Sequence, residues 1–233
     1  MTWKSAVLAV VLIVLGTANA GAQVYTRFEL GYSRSVNADF QDKDFNRDGV
    51  ICGDGPCNTP GTFKDVGKSA VFGAGVGNRF SEHVRGDLSL TYRPGYKLDK
   101  TDAGSPPAQF KADVKSLAFM ANGYWDFPLD GWAPYLGFGL GISSNTVGSM
   151  SGNDGATFSV STSSRTTTSG AWAFMAGLSV PLSGLTLDFG YRYIDLGNIE
   201  TGSGRFSFMG FSGPYSGASG WLRAHELTLG FQF

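Results

Sequence analysis

The stretch Leu185-Thr-Leu-Asp-Phe-Gly-Tyr-Arg-Tyr193 (LTLDFGYRY) sets large apolar side chains at 185, 187, 189, 191 and 193 against Thr186, Asp188, Gly190 and Arg192. A period of two marks a β-strand, because successive side chains of a strand point to opposite faces. A soluble sheet would bury the apolar set in one core and give the other set to water. Here the second set mixes glycine with an acid and a base. In a narrow closed barrel those charges pair across the interior while the apolar set faces lipid, and glycine leaves room for the long side chains opposite.

The same alternation recurs through the chain, eight segments in all. Val24 to Tyr32 opposes Arg27 and Glu29; Ala70 to Val76 opposes Gly73, Gly75 and Gly77. Leu88, Leu90 and Tyr92 oppose Arg85 and Asp87, and Leu117, Phe119, Ala121 and Trp125 oppose Ser116, Asn122 and Asp126. Leu136 to Ile142, Trp172 to Val180 and Leu227 to Phe233 complete the set, the last with Glu226 on its other face. Arg27, Glu29, Arg85, Asp87, Asp188, Arg192 and Glu226 are therefore expected as ion pairs in the lumen. Links between segments alternate in length. Ser81–Val84, Phe127–Gly131 and Pro181–Gly184 are short, whereas about 37–66, 94–110, 144–169 and 195–218 are long. That asymmetry belongs to outer-membrane barrels. The expected fold is all-β, an eight-stranded antiparallel up-and-down transmembrane β-barrel with both chain ends in the periplasm.

The start of the chain agrees. Residues 1–20 carry Lys4, an apolar run from Ala6 to Leu15 and Ala18-Asn-Ala20, the three parts of a secretory signal peptide, with cleavage after Ala20 or Ala22. The barrel then occupies 21–233. The apolar run is too short for a membrane helix, which needs roughly 20 residues. A formal net charge of −1 without a basic patch excludes nucleic acid as a partner. Cys52 and Cys57, the only two cysteines, are expected to form one short disulfide after export.

Asp42 to Cys57 (DKDFNRDGVICGDGPC) is the one stretch that reads as a ligand site. With Asp44 as the first position of a calcium loop, Asn46, Asp48 and the carbonyl of Val50 fall at the third, fifth and seventh, and Gly49 at the sixth. Gly55 stands where a bidentate Glu is usual, and Asp54 comes one place early. Ca²⁺ held weakly by Asp44, Asn46, Asp48, Val50 and Asp54 is one reading; a solvated acidic loop tip is the other. The 144–169 stretch, rich in Ser, Thr and Gly, is expected to be mobile and hydrated.

Gly190-Tyr-Arg-Tyr-Ile-Asp-Leu-Gly197 and His225-Glu-Leu-Thr-Leu-Gly-Phe-Gln-Phe233, with Ala121-Asn-Gly-Tyr-Trp-Asp126, resemble the small eight-stranded outer-membrane barrels of Gram-negative bacteria. That family covers the OmpA-like transmembrane domain, opacity-type surface proteins and small porin-like surface proteins. The resemblance implies outer-membrane lipid and the barrel-assembly machinery as partners, the latter reading Leu227, Leu229, Phe231 and Phe233. Its members differ mainly in their loops. The expected role is structural, contributing to envelope integrity, with adhesion or host contact through the loops. A narrow passive channel is the alternative. A lipid A-modifying enzyme ranks below both, because His83 and His225 have no nearby serine in a recognisable arrangement.

Overall fold

The computed structural model describes residues 23–54 and 57–233, so the expected leader and Gly55 lie outside the described residues. The strands are β1 (Gln23–Val36), β2 (Gln41–Asp42), β3 (Lys68–Arg79), β4 (Val84–Thr101), β5 (Gln109–Asp126), β6 (Ala133–Val147) and β7 (Ser151–Asn153). They continue with β8 (Phe158–Thr162), β9 (Arg165–Leu182), β10 (Leu185–Glu200), β11 (Gly204–Phe208), β12 (Phe211–Tyr215) and β13 (Ala218–Gln232). Eight long strands pair antiparallel, each with the next, in the order β1, β3, β4, β5, β6, β9, β10, β13. β13 pairs back onto β1, from Arg27↔Gln232 to Val36↔Arg223, and this seam closes the ring. The amide and carbonyl of Phe233 extend the seam to Thr26. A closed ring leaves no long-strand edge unpaired, which a bilayer demands.

The facing of side chains follows the alternation. Val24, Phe28, Leu30, Phe72, Leu90, Trp125, Leu136, Leu140, Phe174, Phe189 and Leu227 are exposed on the outside of the cylinder. On β1 the outward apolar run from Val24 to Tyr32 covers about 27 Å of strand at ~3.4 Å per residue. At a tilt near 40° that is roughly 20 Å of depth, close to the apolar band of a membrane barrel. The short connections gather at one end; Ser183-Gly184 is a two-residue turn, and the φ of +78° at Gly184 suits a residue without Cβ.

The long strands run 12 to 18 residues, more than the 9–11 or so that a tilted crossing uses. The surplus rises from the other end, and there the facing inverts. On β5, Leu117 and Phe119 point outward above inward Ala118 and Met120; one step further up, Lys111, Asp113 and Lys115 are exposed while Phe110, Ala112 and Val114 are buried. On β4 a bulge between Arg93 and Tyr96 precedes inward Tyr96 and Leu98 and outward Lys97 and Asp99. The upper cylinder therefore encloses a dry core containing Phe40, Ile51, Phe110, Met150, Ile194, Leu196 and Leu222. The lower part is greasy outside and polar inside, and the upper part is the reverse.

The long connections differ from the expected loops. Strand takes most of 94–110, leaving 102–108 as the link, and the remaining three stretches also contain regular structure. The 144–169 stretch is folded: β7 and β8 form a hairpin that pairs with β5 on one side and with the β11–β12 hairpin on the other. The reason is local. Asp154 Oδ1 accepts the N–H groups of Ala156, Thr157 and Phe158, which fixes the turn, and Phe158, Val160 and Thr162 on β8 are strand-forming types.

Candidate functional site

The lower lumen is filled by charge. All seven expected residues are buried and face one another: Arg27, Glu29, Arg85, Asp87, Asp188, Arg192 and Glu226. Arg85 on β4 reaches Asp188 on β10 at 3.2 Å and Asp126 on β5 at 3.1 Å. Because β4 and β10 are four places apart in the ring of eight, the Arg85–Asp188 pair spans the full diameter. Higher up, Glu226 receives Arg93 at 2.6 Å and Arg192 at 2.7 Å, and Arg192 continues to Glu29 at 2.9 Å. Glu29 meets Arg27 at 3.0 Å, and Arg27 lies 3.6 Å from Asp87.

Arg93 and Asp126 join the network beyond the seven expected residues. Both continue the inward parity of their strands, Arg93 from Arg85 and Asp87, and Asp126 from Asn122. Tyrosines and neutral polar side chains fill in around these charges: Asn122 donates to Asp87, and Ser179 and Gln232 donate to Asp188. The Arg85 guanidinium lies over the Tyr124 and Tyr135 rings at 4.5 and 4.7 Å, and Arg27 donates to the Tyr124 hydroxyl at 2.9 Å. Inward glycines make room for these rings: a Cβ on Gly77 would collide with Tyr25, and one on Gly177 with Tyr135.

The charges balance. Arg27, Arg85, Arg93 and Arg192 face Glu29, Asp87, Asp126, Asp188 and Glu226, four against five. Arg79, partly exposed at the short-turn mouth, bonds Asp126 and brings the count to five against five. Arg85, Arg93 and Arg192 each place several guanidinium N–H groups on carboxylates or hydroxyls, the condition under which a buried ion pair is tolerated, whereas Arg27 bonds through its terminal nitrogens and leaves Nε without a partner. The lumen is thus cross-braced.

In the upper part, the 37–66 connection folds over the dry core. Cys52 and Cys57 are joined in the expected disulfide. Asp42 accepts the amides of Val50 and Ile51 at 2.8 and 2.9 Å, and the Tyr215 hydroxyl donates to its other oxygen. Burial pushes both the Asp42 carboxyl and the Tyr215 hydroxyl above their ordinary ranges, so Tyr215 stays a donor.

Two of the calcium-loop carboxylates have protein partners, and Asp48 Oδ1 is buried without one. Asp44 precedes a single helical turn, Phe45–Asp48; Asp48 accepts the Ser216 amide; Asp54 accepts the Asn58 amide and the Thr59 hydroxyl. Val50 is buried in the core cluster. Among the described residues no three His, Cys, Asp or Glu side chains are gathered around a cation position. The spacing read as a calcium loop here serves carboxylate-to-amide clasps at Asp48 and Asp54, and the side chains of Asp44, Asp48 and Asp54 are not gathered around one point. His83 sits in a short turn beside Trp125, and His225 faces outward against Tyr191 and Tyr193 while Glu226 faces inward.

At the far tip, Phe208-Met209-Gly210-Phe211 forms a two-residue turn joining β11 to β12, with φ of +48° and +87° at its centre. Met209 is 65% and Phe211 79% exposed, with Phe208 beside them. A cleft of about 300 Å³ opens next to this tip, lined by Phe158, Phe206, Phe208, Pro106 and the disulfide.

Comparison with known proteins bears on fold and family. The chain is 32% identical over 169 residues to a Rickettsia bellii protein named "Putative adhesin", a match covering 68% of this chain and 72% of that protein. In structure it is similar to Neisserial surface protein A, with a TM-score of 0.51 and 18% identity over 91% of this chain and 97% of the other. It is also similar to the outer membrane protein OprG of Pseudomonas aeruginosa, with a TM-score of 0.53 and 13% identity over 90% and 95%. The family described as outer membrane protein beta-barrel domain matches residues 5–233. The outward apolar band thus faces the lipid of the bacterial outer membrane, and the chain belongs to the outer membrane protein beta-barrel domain family.

Proposed function

We propose that the chain is a structural surface protein whose folded crown, the upper cylinder with its hairpins, contacts a host or extracellular surface. The short turns and both chain ends lie in the periplasm in this reading, and the crown stands outside. One observation carries it: Phe208, Met209 and Phe211 are exposed together on a rigid hairpin beyond the level where the outward face turns polar. Apolar side chains inside the band are covered by lipid. Those at the tip have no such cover, and a contiguous exposed apolar patch marks an interaction site. The name carried by the Rickettsia bellii relative agrees with an adhesive role. The cross-braced lumen supplies the complementary half, a rigid post without a bore that holds the crown in place.

The test is attachment of cells displaying the protein to a host-cell monolayer, comparing wild type with the triple variant Phe208→Ser/Met209→Ser/Phe211→Ser. All three side chains are exposed, so the variant keeps its electrophoretic shift between unheated and boiled samples. Attachment is expected to fall at least about tenfold, as loss of an apolar hot spot does. Equal attachment by a folded variant would reject the reading.

A further inference from the structure

Just above the lipid-facing band, the pairing register places basic side chains in one row. Arg34 on β1 is directly opposite Lys68 on β3 and directly opposite His225 on β13, and all three point outward. The next row down, two residues along each strand, is Ala70, Tyr32, Leu227 and Tyr191, which lies in the apolar band. Like charges directly opposite in a sheet repel. Among the described residues none of Arg34, Lys68 or Lys97 has a carboxylate within pairing distance.

The backbone opens beside this row. The β3–β4 ladder ends at Phe72↔Tyr92; above it the Gly95 amide donates to Ser69 Oγ at 3.2 Å in place of a ladder bond, and Gly67 lies close against the Lys97 backbone. The resulting cleft, about 680 Å³, is lined by Arg34, Lys68, Lys97 and Lys100 together with Asp65 and Asp99. Asp65 is taken by Lys100 at 2.8 Å, and Asp99 accepts from the Gln109 amide at 2.8 Å. Four bases against two acids leave the cleft with a net charge of +2. Tyr32 forms its lower lip, where the wall turns to hydrocarbon-facing side chains.

We infer that this cleft binds the phosphate of a lipid head group, with Arg34 and Lys68 sharing the anion and Lys97 closing over it. A phosphate between the two cations converts their repulsion into charge-assisted hydrogen bonds. The lipid's acyl chains then run down the apolar wall below Tyr32. The depth of the row, at the rim of the band, selects a membrane lipid over a soluble phosphate. The inference holds whichever side of the membrane the crown faces, so it stands or falls apart from the adhesive reading.

The experiment is native mass spectrometry of the folded full chain in detergent. Three probes are titrated: bis-phosphorylated lipid A, the same lipid stripped of its phosphates, and inorganic phosphate. The phosphorylated lipid is expected to bind, and Arg34→Ala/Lys68→Ala to weaken it about 30-fold, at roughly fivefold for each basic side chain lost near a membrane surface. Arg34→Lys/Lys68→Arg is expected to retain binding, and Lys111→Ala/Lys115→Ala on the outer face of β5 to leave it unchanged. Equal binding of the phosphate-free lipid would overturn the inference, as would an equal loss in the β5 variant or no loss in the Arg34/Lys68 variant. Inorganic phosphate binding as tightly as the lipid would overturn the choice of a head group as ligand.

Discussion

Changing Glu226→Gln removes one negative charge from the most heavily braced point of the lumen. Glu226 is fully enclosed and holds two guanidiniums: Arg93 through Nε at 2.6 Å and Nη2 at 3.0 Å, and Arg192 through Nε at 2.7 Å. In the variant, Arg192 keeps Glu29 at 2.9 Å, but Arg93 loses its only carboxylate and is left with the Thr91 hydroxyl at 3.1 Å and a neutral amide oxygen. Leaving a buried charge without its partner costs about 3–5 kcal/mol. With a urea slope of about 2–3 kcal/mol per molar for a chain of this size, the unfolding midpoint in lipid vesicles should fall by roughly 1–2 M. Tryptophan fluorescence reads the transition. The companion variant Arg93→Met separates charge from shape: combined with Glu226→Gln it should cost less than the sum of the two single changes by at least about 1 kcal/mol, because each removes the other's orphan. A single-variant loss below about 1 kcal/mol, or strict additivity of the pair, would refute the account of the lumen as a mutually dependent charge network.

Two further outcomes follow from other parts of the chain. Hydrogen bonds from the Phe158 and Ala156 amides hold the Asp154 carboxyl well below the usual carboxylate range, so its support of the β7–β8 turn is fully present above the ordinary 3.8 and is lost only as pH falls toward the depressed value. Amide exchange at Ala156 and Phe158, corrected for intrinsic rates, should therefore be flat from about pH 6 to 4.5, and faster throughout in Asp154→Ala. Deleting Phe233 removes both backbone bonds to Thr26 and the exposed aromatic that follows β13, so the yield of heat-modifiable barrel inserted into membranes should drop several-fold; an unchanged yield would dismiss an assembly role for Phe233.

Most of the lower barrel could be read from residue types alone. Arg27 with Glu29, and Asp188 with Arg192, share the parity of inward glycines, and only a closed cylinder gives such a set a common interior. The bracing partners could not be assigned, because which strands oppose one another depends on the shear of the closed ring and not on neighbours in sequence. The upper part escaped for a different reason. Apolar positions on β5 are even at Phe110, Ala112 and Val114 and odd at Leu117 and Phe119. Read with a single parity, the even set looks like loop, whereas a shift of one marks the change from water-facing to lipid-facing exterior. The acidic run at 42–54 stays ambiguous in sequence because carboxylates spaced for a cation are equally spaced to receive amides, and in the 37–66 connection Asp42, Asp48 and Asp54 do receive them.

That shift of parity fixes the draught of the barrel as a waterline fixes a hull's. Sinking by one pair of residues would carry Lys115 and its neighbours into hydrocarbon, at about 2–4 kcal/mol for each basic side chain near the midplane and less toward the rim. Rising by the same amount would lift Leu117 and Tyr32 into water. The cylinder is thus trimmed to a single immersion depth, and in a thinner or thicker bilayer it is the lipid that must deform to meet it.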